Sequence, residues 1–172
     1  PLHGVPMAIK DTNYTMGVRT TMGSKLMEDF VPNEDSINVA RLKKAGIVIL
    51  GKTSTPEFAG KGVTENLVSG ITRNPWDMRK TVGGSSGGSC AAVAAGMAPI
   101  ATASDAGGSI RIPASCCGVF GIKPQFGRVP NYPVFHLWEY LLHEGAVSRT
   151  VEDAALMMDV IAGQHWGDRY SI

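Results

Sequence analysis

The segment Gly83–Ser89 (GGSSGGS) constrains the fold of this chain more than any other feature, because it holds four glycines and three serines in seven residues. Ordering so many glycines costs backbone entropy, so a loop with a structural role alone would gain little from this composition. Such a backbone can turn sharply, admit a close neighbour and present amide N–H groups and hydroxyls. We therefore expect a functional loop here, with a tight structural turn as the alternative.

The composition is that of an ordinary folded chain. Of its 172 residues, 44% are hydrophobic and 18% are charged, which is enough for one domain with a core. The net charge of +1 singles out no nucleic acid, membrane surface or polyanionic substrate as a partner. The longest nearly apolar stretch, Cys90–Ala103, is shorter than the roughly 20 residues that span a bilayer. We predict no membrane-spanning helix.

The cysteines indicate a compartment rather than a disulfide framework. Cys90, Cys116 and Cys117 cannot all pair, and adjacent cysteines are poor partners for each other. We therefore predict a reducing, cytoplasmic location. The chain starts with Pro1 and carries no signal segment, so we also expect it to be part of a longer protein.

Capping residues and hydrophobic runs predict alternating helices and strands. Ser36–Ala45 begins with a capping serine, has basic residues in its last turn and is followed by Gly46, which predicts a helix. Ile47–Leu50 and Ile100–Ala103 are strand-like runs, and the second follows the alanine-rich segment Ser89–Met97. This alternation predicts an α/β fold.

A helix near the end of the chain is the clearest of these elements. Thr150 and Asp153 form a capping-box-like start, and the helix is predicted to run to Gly163. Its apolar positions at helical spacing are Val151, Ala154, Ala155, Met158 and Ile161. Before it, Asn131–Leu142 concentrates aromatic residues, which favours packing or an interface over a pocket wall.

One match to a nucleotide-binding pattern is rejected. Gly46–Thr53 (GIVILGKT) fits the phosphate-loop expression, with Lys52 and Thr53 in its last places. A phosphate loop requires a strand before it and an open loop between its glycines, whereas here a helix precedes and an apolar run fills the loop. Pro56 also blocks a following helix. We expect no nucleotide binding at this segment.

Gly83–Ser89 also fits the nucleophile-elbow pattern of α/β-hydrolases, with Ser85 or Ser86 as the nucleophile. That mechanism requires a histidine base later in the chain. The candidates are His136, His143 and His165, none of which has a recognisable sequence setting. A hydrolase with a conventional Ser–His pair is therefore one alternative.

A second glycine-containing segment, Ser104–Pro113 (SDAGGSIRIP), suits an oxyanion hole. Its glycines precede Ser109, so successive backbone amides can point at negative charge that develops beside a serine nucleophile. The candidate donors are the amides of Ala106, Gly107, Gly108 and Ser109. Without a histidine, a buried neutral lysine can accept the serine proton, and Lys10 follows an apolar stretch.

Taken together, the chain resembles the amidase signature family. The segments that carry the resemblance are LHGVPMAIKD (Leu2–Asp11), GKTSTPEF (Gly51–Phe58), NPWD (Asn74–Asp77), GGSSGGSCAAVAAG (Gly83–Gly96), SDAGGSIRIPASCCGVFGIKP (Ser104–Pro124) and RTVEDAALMMDVIAG (Arg149–Gly163). They cover essentially the whole chain in the family's order. The resemblance implies an α/β fold with a mixed β-sheet core flanked by helices. It also implies that residues 1–172 are one catalytic segment of a larger domain, truncated at both ends.

The resemblance implies a Ser, cis-Ser, Lys triad. Ser109 would be the nucleophile, Ser85 the bridging serine after a cis peptide bond from Gly84, and Lys10 the terminal base. The supporting residues would be Asp105 and Arg111, which hold the loop, and Ser86, which competes with Ser85 for the bridging role. By the same resemblance, the substrate channel would be lined by Phe58, Ala59 and Gly60.

The implied reaction is hydrolysis of a carbon–nitrogen bond in a small-molecule amide through a serine acyl-enzyme, without metal or cofactor. One alternative is the A subunit of a tRNA-dependent glutamine amidotransferase, and another is a non-catalytic module that binds anions with the glycine-serine loop. The A subunits usually carry an S-L-D-Q-like sequence before the last helix, whereas Trp138–Gly145 reads WEYLLHEG. This difference favours a stand-alone amidase, which would bind no nucleic acid or membrane and could form a homo-oligomer.

Overall fold

The structure is a computed structural model, and it describes residues 1–133 and 140–172. In these residues nine strands, four α-helices and two short 3-10 turns form. The strands are β1 (Pro6–Lys10), β2 (Val48–Thr53), β3 (Glu65–Asn66), β4 (Gly70–Ile71), β5 (Arg73–Asn74), β6 (Asp77–Thr81), β7 (Ile100–Asp105), β8 (Phe120–Ile122) and β9 (His143–Ser148). The helices are α1 (Ile37–Lys44), α2 (Gly87–Ala94), α3 (Arg111–Cys117) and α4 (Val151–Ile161), and the 3-10 turns are Lys25–Met27 and Glu57–Ala59.

Five of the strands form one mixed sheet in the order β2-β1-β7-β9-β8. β1 is parallel to both β2 and β7, and β9 is antiparallel to both β7 and β8. The short antiparallel pairs β3–β4 and β5–β6 lie outside this sheet. The mixed sheet with flanking helices confirms the expected α/β architecture.

The sheet is covered on both faces, because its strands send alternate side chains into two hydrophobic clusters. One cluster joins Ala101 and Val147 to residues of α2 and α3, and the other joins Ile100 and Ala146 to residues of α1 and α4. Neighbouring residues of a strand point to opposite faces, so one strand serves both clusters. Coverage of both faces explains why β7 is buried along its whole length.

The helices predicted at Ser36–Ala45 and near the end of the chain are confirmed as α1 and α4. The expected cap of α1 is wrong, because the Ser36 hydroxyl accepts from the Tyr14 amide at 2.8 Å and makes no capping hydrogen bond to the helix. The Asp153 amide donates a hydrogen bond to the Thr150 hydroxyl at 3.2 Å, as a capping box requires. The expected apolar face of α4 is wrong in part. Its core-facing residues are Ala154, Met157 and Ile161, whereas Val151 and Ala155 are exposed and Met158 is only half-buried. The helix buries one narrow stripe at spacing i, i+3, i+7, because it packs against β9 and α1 along a single line.

The elements near the glycine-serine loop extend beyond their predicted limits. β2 continues to Thr53, because a bulge at Leu50 lets Gly51 pair with β1. β7 continues to Asp105, because its last residues still pair with β9. The alanine-rich segment forms α2, which begins at Gly87, inside the loop itself. Polar and glycine residues interrupt the apolar pattern here without ending the elements.

The aromatic segment Asn131–Leu142 includes residues 134–139, which lie outside the described residues. In its described part, the Tyr132 ring packs against His165 and Trp166, with ring centroids 5.4 Å and 5.5 Å apart. The same tyrosine also lines a cavity. The described part of this segment therefore takes part both in packing and in a cavity wall.

No helix in residues 1–133 and 140–172 is long and apolar enough to cross a membrane. The three cysteines are free thiols, of which Cys90 and Cys117 are buried and Cys116 is exposed.

Candidate active site

The expected catalytic residues gather at one edge of the sheet. Lys10 is the last residue of β1 and Asp105 is the last residue of β7. These two strands are parallel, so their carboxyl ends lie at the same edge. Ser85 precedes α2, which packs against both strands. The fold thus brings together Lys10 and Ser85, which are 75 positions apart in the chain.

Lys10 is fully buried, and its amine contacts two serine hydroxyls. Its Nζ donates to Ser85 Oγ at 2.8 Å and to Ser104 Oγ at 2.9 Å. Its backbone N–H donates to Thr102 Oγ1 at 2.8 Å, which fixes the end of β1 against β7. Burial lowers the pKa of Lys10 below its ordinary value of 10.5, since the ammonium form loses hydration, and the nearby carboxylate of Glu144 opposes this shift.

Two neighbouring serines of the glycine-serine loop make different contacts. The Gly84–Ser85 peptide bond is cis, as the resemblance implies, and Ser85 Oγ accepts the hydrogen bond from Lys10. The Ser86 hydroxyl instead donates to the carbonyl of Ser104 and accepts from its amide, both at 3.2 Å. These contacts favour Ser85 over Ser86 as the serine that faces the lysine.

Ser109 lies in the turn between β7 and α3. With Gly84 and Ser85 it lines a cavity of about 260 Å³. Its carbonyl accepts a hydrogen bond from the Ser86 amide at 3.1 Å, which ties this turn to the glycine-serine loop. Within the part of the chain that the structure describes, the Ser109 hydroxyl makes no hydrogen bond, and the residue lines the cavity.

One of the four expected oxyanion donors is already engaged. The Gly108 amide donates to Asp105 Oδ1 at 2.7 Å, so it is occupied by a carboxylate rather than free for a substrate. The amides of Ala106, Gly107 and Ser109 make no hydrogen bond within the described residues, and all three residues line the cavity. The set of available donors is therefore smaller than the sequence indicated.

Asp105 is the buried acceptor that shapes this turn. Besides the Gly108 amide, it accepts from the Ile110 amide at 3.1 Å, and from Arg111 Nε at 2.9 Å and Nη2 at 3.1 Å. Lys123 Nζ lies 3.2 Å from the same carboxylate. Burial alone would raise the pKa of Asp105, but the bonds from Arg111, the amides and Lys123 outweigh it and hold this pKa well below its usual range. These contacts join Asp105 to Arg111 and to the turn that contains Ser109.

The expected channel residues lie beside the same cavity. Ala59 and Gly60 line the cavity that contains Ser109, whereas Phe58 lines a neighbouring one. Phe58 and Ala59 have left-handed φ angles of 48° and 57°. Two successive non-glycine residues in this region are uncommon, and such backbone is concentrated at functional sites.

The two histidine candidates that the structure describes, His143 and His165, have ring contacts outside the expected triad. His143 Nδ1 lies 2.7 Å from the Leu141 carbonyl oxygen, and His165 Nδ1 accepts from the Gly167 amide at 3.1 Å. Neither hydrogen-bonds a serine of the expected triad in the part of the chain described here. His136 falls among residues 134–139 and lies outside the described residues.

In the two segments that could suggest phosphate binding, Gly46–Thr53 and Gly83–Ser89, polar groups form hydrogen bonds within the protein. Lys52 Nζ donates to Thr20 Oγ1 at 2.9 Å and to Thr15 Oγ1 at 3.2 Å, and burial lowers the pKa of Lys52 to about 8. In the glycine-serine loop, the Gly88 amide donates to the Ser54 carbonyl at 3.2 Å. The Gly83 amide donates to Thr81 Oγ1 at 3.0 Å and the Ser86 amide donates to the Ser109 carbonyl at 3.1 Å, so three amides of this loop are engaged within the protein rather than available to an anion.

Sequence reasoning assigned no role to three residues that meet the site, namely Ser104, Lys123 and Glu144. Ser104 and Lys123 lie within a segment that carries the family resemblance, but no spacing rule separates them from their neighbours. Glu144 lies in β9, which no periodicity predicted, and it reaches the site through the pairing of β9 with β7. Strand register, rather than a motif, places Glu144 there.

The described residues contain no group of three or more His, Cys, Asp or Glu side chains that could hold a metal ion. The groups that do meet are an amine, serine hydroxyls and backbone amides. This set suits nucleophilic acyl chemistry, in which a hydroxyl attacks a carbonyl and amides stabilise its oxygen.

Comparisons with known proteins point to one family. The sequence profile of the family described as Amidase matches residues 1–171. The A subunit of the glutamyl-tRNA(Gln) amidotransferase of Desulforapulum autotrophicum is 53% identical over 163 residues, which cover 95% of this chain and 33% of that protein. The chain thus spans about a third of the length of the curated relatives it matches.

Two solved structures share the fold closely. The crystal structure of the glutamyl-tRNA(Gln) amidotransferase A subunit from Thermotoga maritima has a TM-score of 0.95 and 43% identity, covering 99% of this chain and 38% of that one. The structure of 6-aminohexanoate cyclic dimer hydrolase has a TM-score of 0.92 and 43% identity, covering 98% of this chain and 36% of that one. The profile match and these relatives agree with the geometry of the site, and the chain belongs to the amidase family, that of the amidase signature enzymes.

Proposed function

We propose that the protein containing this segment cleaves the carbon–nitrogen bond of an amide through a covalent acyl-enzyme on Ser109. The observation that carries the proposal is the 2.8 Å hydrogen bond between the fully buried Lys10 and Ser85. A buried amine with a lowered pKa next to a hydroxyl is a general base beside a proton donor. Membership of the amidase family supports the same chemistry.

The proposed first step moves two protons. Neutral Lys10 takes the proton of Ser85 while Ser85 takes the proton of Ser109, and Ser109 Oγ attacks the amide carbonyl carbon. For this step the Ser109 hydroxyl rotates toward Ser85, which lines the same cavity. The free amides of Ala106, Gly107 and Ser109 are the donors for the negative carbonyl oxygen.

The later steps return these protons. The Lys10 ammonium sends its proton through Ser85 to the leaving amine, the carbon–nitrogen bond breaks, and the acyl group stays on Ser109 as an ester. Water then gives a proton to the same relay and attacks the ester, which releases the carboxylic acid and restores the Ser109 hydroxyl. Each half-reaction begins and ends with a neutral lysine, so the balance requires no further reactant.

A fluorophosphonate probe on the full-length protein tests the nucleophile and the base. The probe should modify Ser109, as located by mass spectrometry of the labelled peptide, and Ser109→Ala should remove the label. Lys10→Ala should slow labelling and amide turnover by about 10²- to 10⁴-fold, because general-base assistance has about this size.

Histidine variants are the matched controls for this experiment. His143→Ala and His165→Ala should leave labelling unchanged, since both rings bond outside the triad. Labelling of Lys10→Ala at the wild-type rate would refute the role of the lysine as base. Loss of labelling in a histidine variant would indicate a Ser–His pair instead.

The comparisons favour the amidotransferase alternative over the stand-alone amidase that the sequence suggested. The 53% identity to the A subunit of a glutamyl-tRNA(Gln) amidotransferase supports this role. In it, the acyl-enzyme would form from a primary carboxamide such as glutamine, and the ammonia released would pass to an acceptor carried by tRNA. The full-length protein would then work in a complex with other subunits.

A stand-alone amidase is the second candidate, favoured by the sequence WEYLLHEG at residues 138–145 and by 43% identity to a hydrolase. Assays of the full-length protein, alone and with its co-purified subunits, on glutamine and on aliphatic and aryl secondary amides distinguish the two roles. Turnover of secondary amides without partners supports the stand-alone amidase. Glutamine hydrolysis that depends on co-purified subunits supports the amidotransferase.

A further inference from the structure

Glu144 is a buried carboxyl group that the proposed relay does not use. It lies in β9 and is 6% exposed. Its Oε2 accepts hydrogen bonds from Asn13 Nδ2 at 3.0 Å and from Asn38 Nδ2 at 3.1 Å. Within the described residues, no lysine or arginine forms an ion pair with it. Burial of a charge without an ion-pair partner costs free energy, so a role for Glu144 would explain why a carboxyl group lies at this position.

The sheet places Glu144 next to the contacts of Lys10. Glu144 is the register partner of Ser104 in the antiparallel pairing of β9 with β7, so the two side chains lie side by side on one face. Ser104 Oγ in turn accepts from Lys10 Nζ at 2.9 Å. Ser104 and Glu144 also line one cavity of about 70 Å³. A chain of neighbours therefore connects the carboxyl group to the amine.

Three titratable groups act on the charge of Lys10, namely Glu144, Cys90 on α2 and Asp105 at the end of β7. Burial raises the pKa of Cys90 far above its usual value, so this thiol stays neutral. Asp105 stays ionised, because its bonds to cations and amides outweigh burial and hold its pKa low. Burial raises the pKa of Glu144 toward neutrality, against the hydrogen bond from Asn13. Of these three groups, Glu144 is the one whose charge varies near neutral pH.

We propose that Glu144 is a positioning residue for Lys10, whose carboxylate draws the lysine side chain toward Ser104 and sets the fraction of Lys10 that is neutral at a given pH. The inference rests on the proposed function, in which Lys10 is the base. Ionised Glu144 favours the ammonium form of the lysine, and loss of its charge favours the neutral amine. Glu144 makes no hydrogen bond to Ser85 or Ser109 in the described structure, so it acts through Lys10.

Removal of the Glu144 charge in the full-length protein tests the proposal. In the wild type, kcat/KM should rise with pH along an acid limb as Lys10 loses its proton. Glu144→Gln keeps an oxygen acceptor for the two asparagines but removes the charge that raises the pKa of Lys10. The acid limb should therefore move to lower pH, by about one unit for the loss of one nearby opposite charge.

Two further variants sharpen the comparison. Asp35→Asn is the matched control, because Asp35 accepts from Lys43 Nζ at 2.7 Å and 2.9 Å and is not among the groups that shift Lys10. It should leave the acid limb in place. Asn13→Ala removes a bond that favours ionised Glu144, so the limb should move in the same direction as in Glu144→Gln but less far. A limb that stays in place in both Glu144→Gln and Asn13→Ala overturns the proposal.

An NMR titration separates this inference from the proposed function. In protein with isotope-labelled lysine, the Lys10 signal, assigned with Lys10→Met, reports the pKa of Lys10 without turnover. A lower Lys10 pKa in Glu144→Gln than in the wild type supports the role of Glu144, and equal values refute it. A shifted Lys10 pKa in a protein whose Ser109 never reacts with the probe would count against the proposed function alone.

Discussion

At the scale of single residues, the site contains two buried titratable groups, one surrounded by neutral hydroxyls and the other bonded to cations and amides. Lys10 is surrounded by hydroxyls, so loss of hydration dominates and its pKa falls. Burial would raise the pKa of Asp105, but bonds from Arg111, Lys123 and two amides outweigh burial, so this pKa falls too. The lowered pKa of Lys10 suits the base that we propose, and the lowered pKa of Asp105 keeps a negative charge beside the turn that contains Ser109.

Asp105→Asn should disrupt that turn. The substitution should lower the free energy of unfolding by about 2–4 kcal/mol, because it removes a buried charge that accepts several charge-assisted hydrogen bonds. Labelling of Ser109 should slow as well, since the Gly108 amide loses the partner that orients it. Urea unfolding and the rate of fluorophosphonate labelling measure the two effects.

The pH dependence of this effect follows from the lowered pKa of Asp105. Stabilisation by a carboxylate of this kind is present above the unfolded pKa of about 3.9 and is lost as the pH falls below it. The stability gap between the wild type and Asp105→Asn should therefore shrink in acid. Asp77→Asn, which breaks an exposed pair with Arg79, is the control and should leave unfolding nearly unchanged. A gap of constant size down to strong acid would contradict this role of Asp105.

At the scale of secondary-structure elements, helices could be predicted better than strands. Residues at the helix ends identify α1, and a capping threonine with apolar spacing identifies α4, because these signals are local in sequence. β9 is buried on both faces, so its sequence His143–Ser148 shows no clear alternation of polar and apolar residues. Its position depends on pairing with β7 and β8, which no local pattern encodes.

The contact between α2 and the end of β2 gives a prediction for Gly88. A Cβ at this position would lie 2.5 Å from Ser54 N and 3.0 Å from Ser54 Cα, and backbone atoms cannot move aside as a side chain can. Gly88→Ala should therefore destabilise the protein by about 1–3 kcal/mol, although alanine is the better helix former. Labelling of Ser109 should slow too, because Ser85 lies just before this helix.

Gly62→Ala is the matched control for this substitution, because a Cβ at Gly62 meets no atom within 4 Å. Its urea midpoint should stay near that of the wild type. Equal midpoints for Gly88→Ala and Gly62→Ala would mean that α2 is not held against Ser54 as the structure describes.

At the scale of the whole molecule, the three residues of the proposed triad could be named from sequence, whereas the contacts that surround them could not. Lys10, Ser85 and Ser109 each lie in a short segment that carries the family resemblance. The contact of Lys10 with Ser104 joins residues 94 positions apart and depends on how β1 and β7 pair. Sequence also could not show that Asp105 takes the Gly108 amide, because the partner of a carboxylate is decided by the turn geometry.

These long-range contacts predict that the site is lost as one unit. The residues of the proposed triad lie on β1, just before α2 and in the turn after β7, so their arrangement depends on the sheet. Fluorophosphonate labelling and tryptophan fluorescence should therefore disappear at the same urea concentration. Trp76 reports on α3 here, because its Nε1 donates to the Cys117 carbonyl at 2.6 Å. Labelling that outlasts the fluorescence change would indicate a smaller folding unit.

The unequal exposure of the three cysteines makes Cys116 the site in this segment where a fluorescent dye can be attached. Cys116 is exposed on α3, while Cys90 and Cys117 are buried, so a thiol-reactive dye should select one position of the three. The backbone at that position is fixed, since the Cys116 carbonyl accepts from Asn74 Nδ2 at 2.8 Å. A dye there would sit on the helix that follows Ser109, where its emission could follow acylation and deacylation in real time.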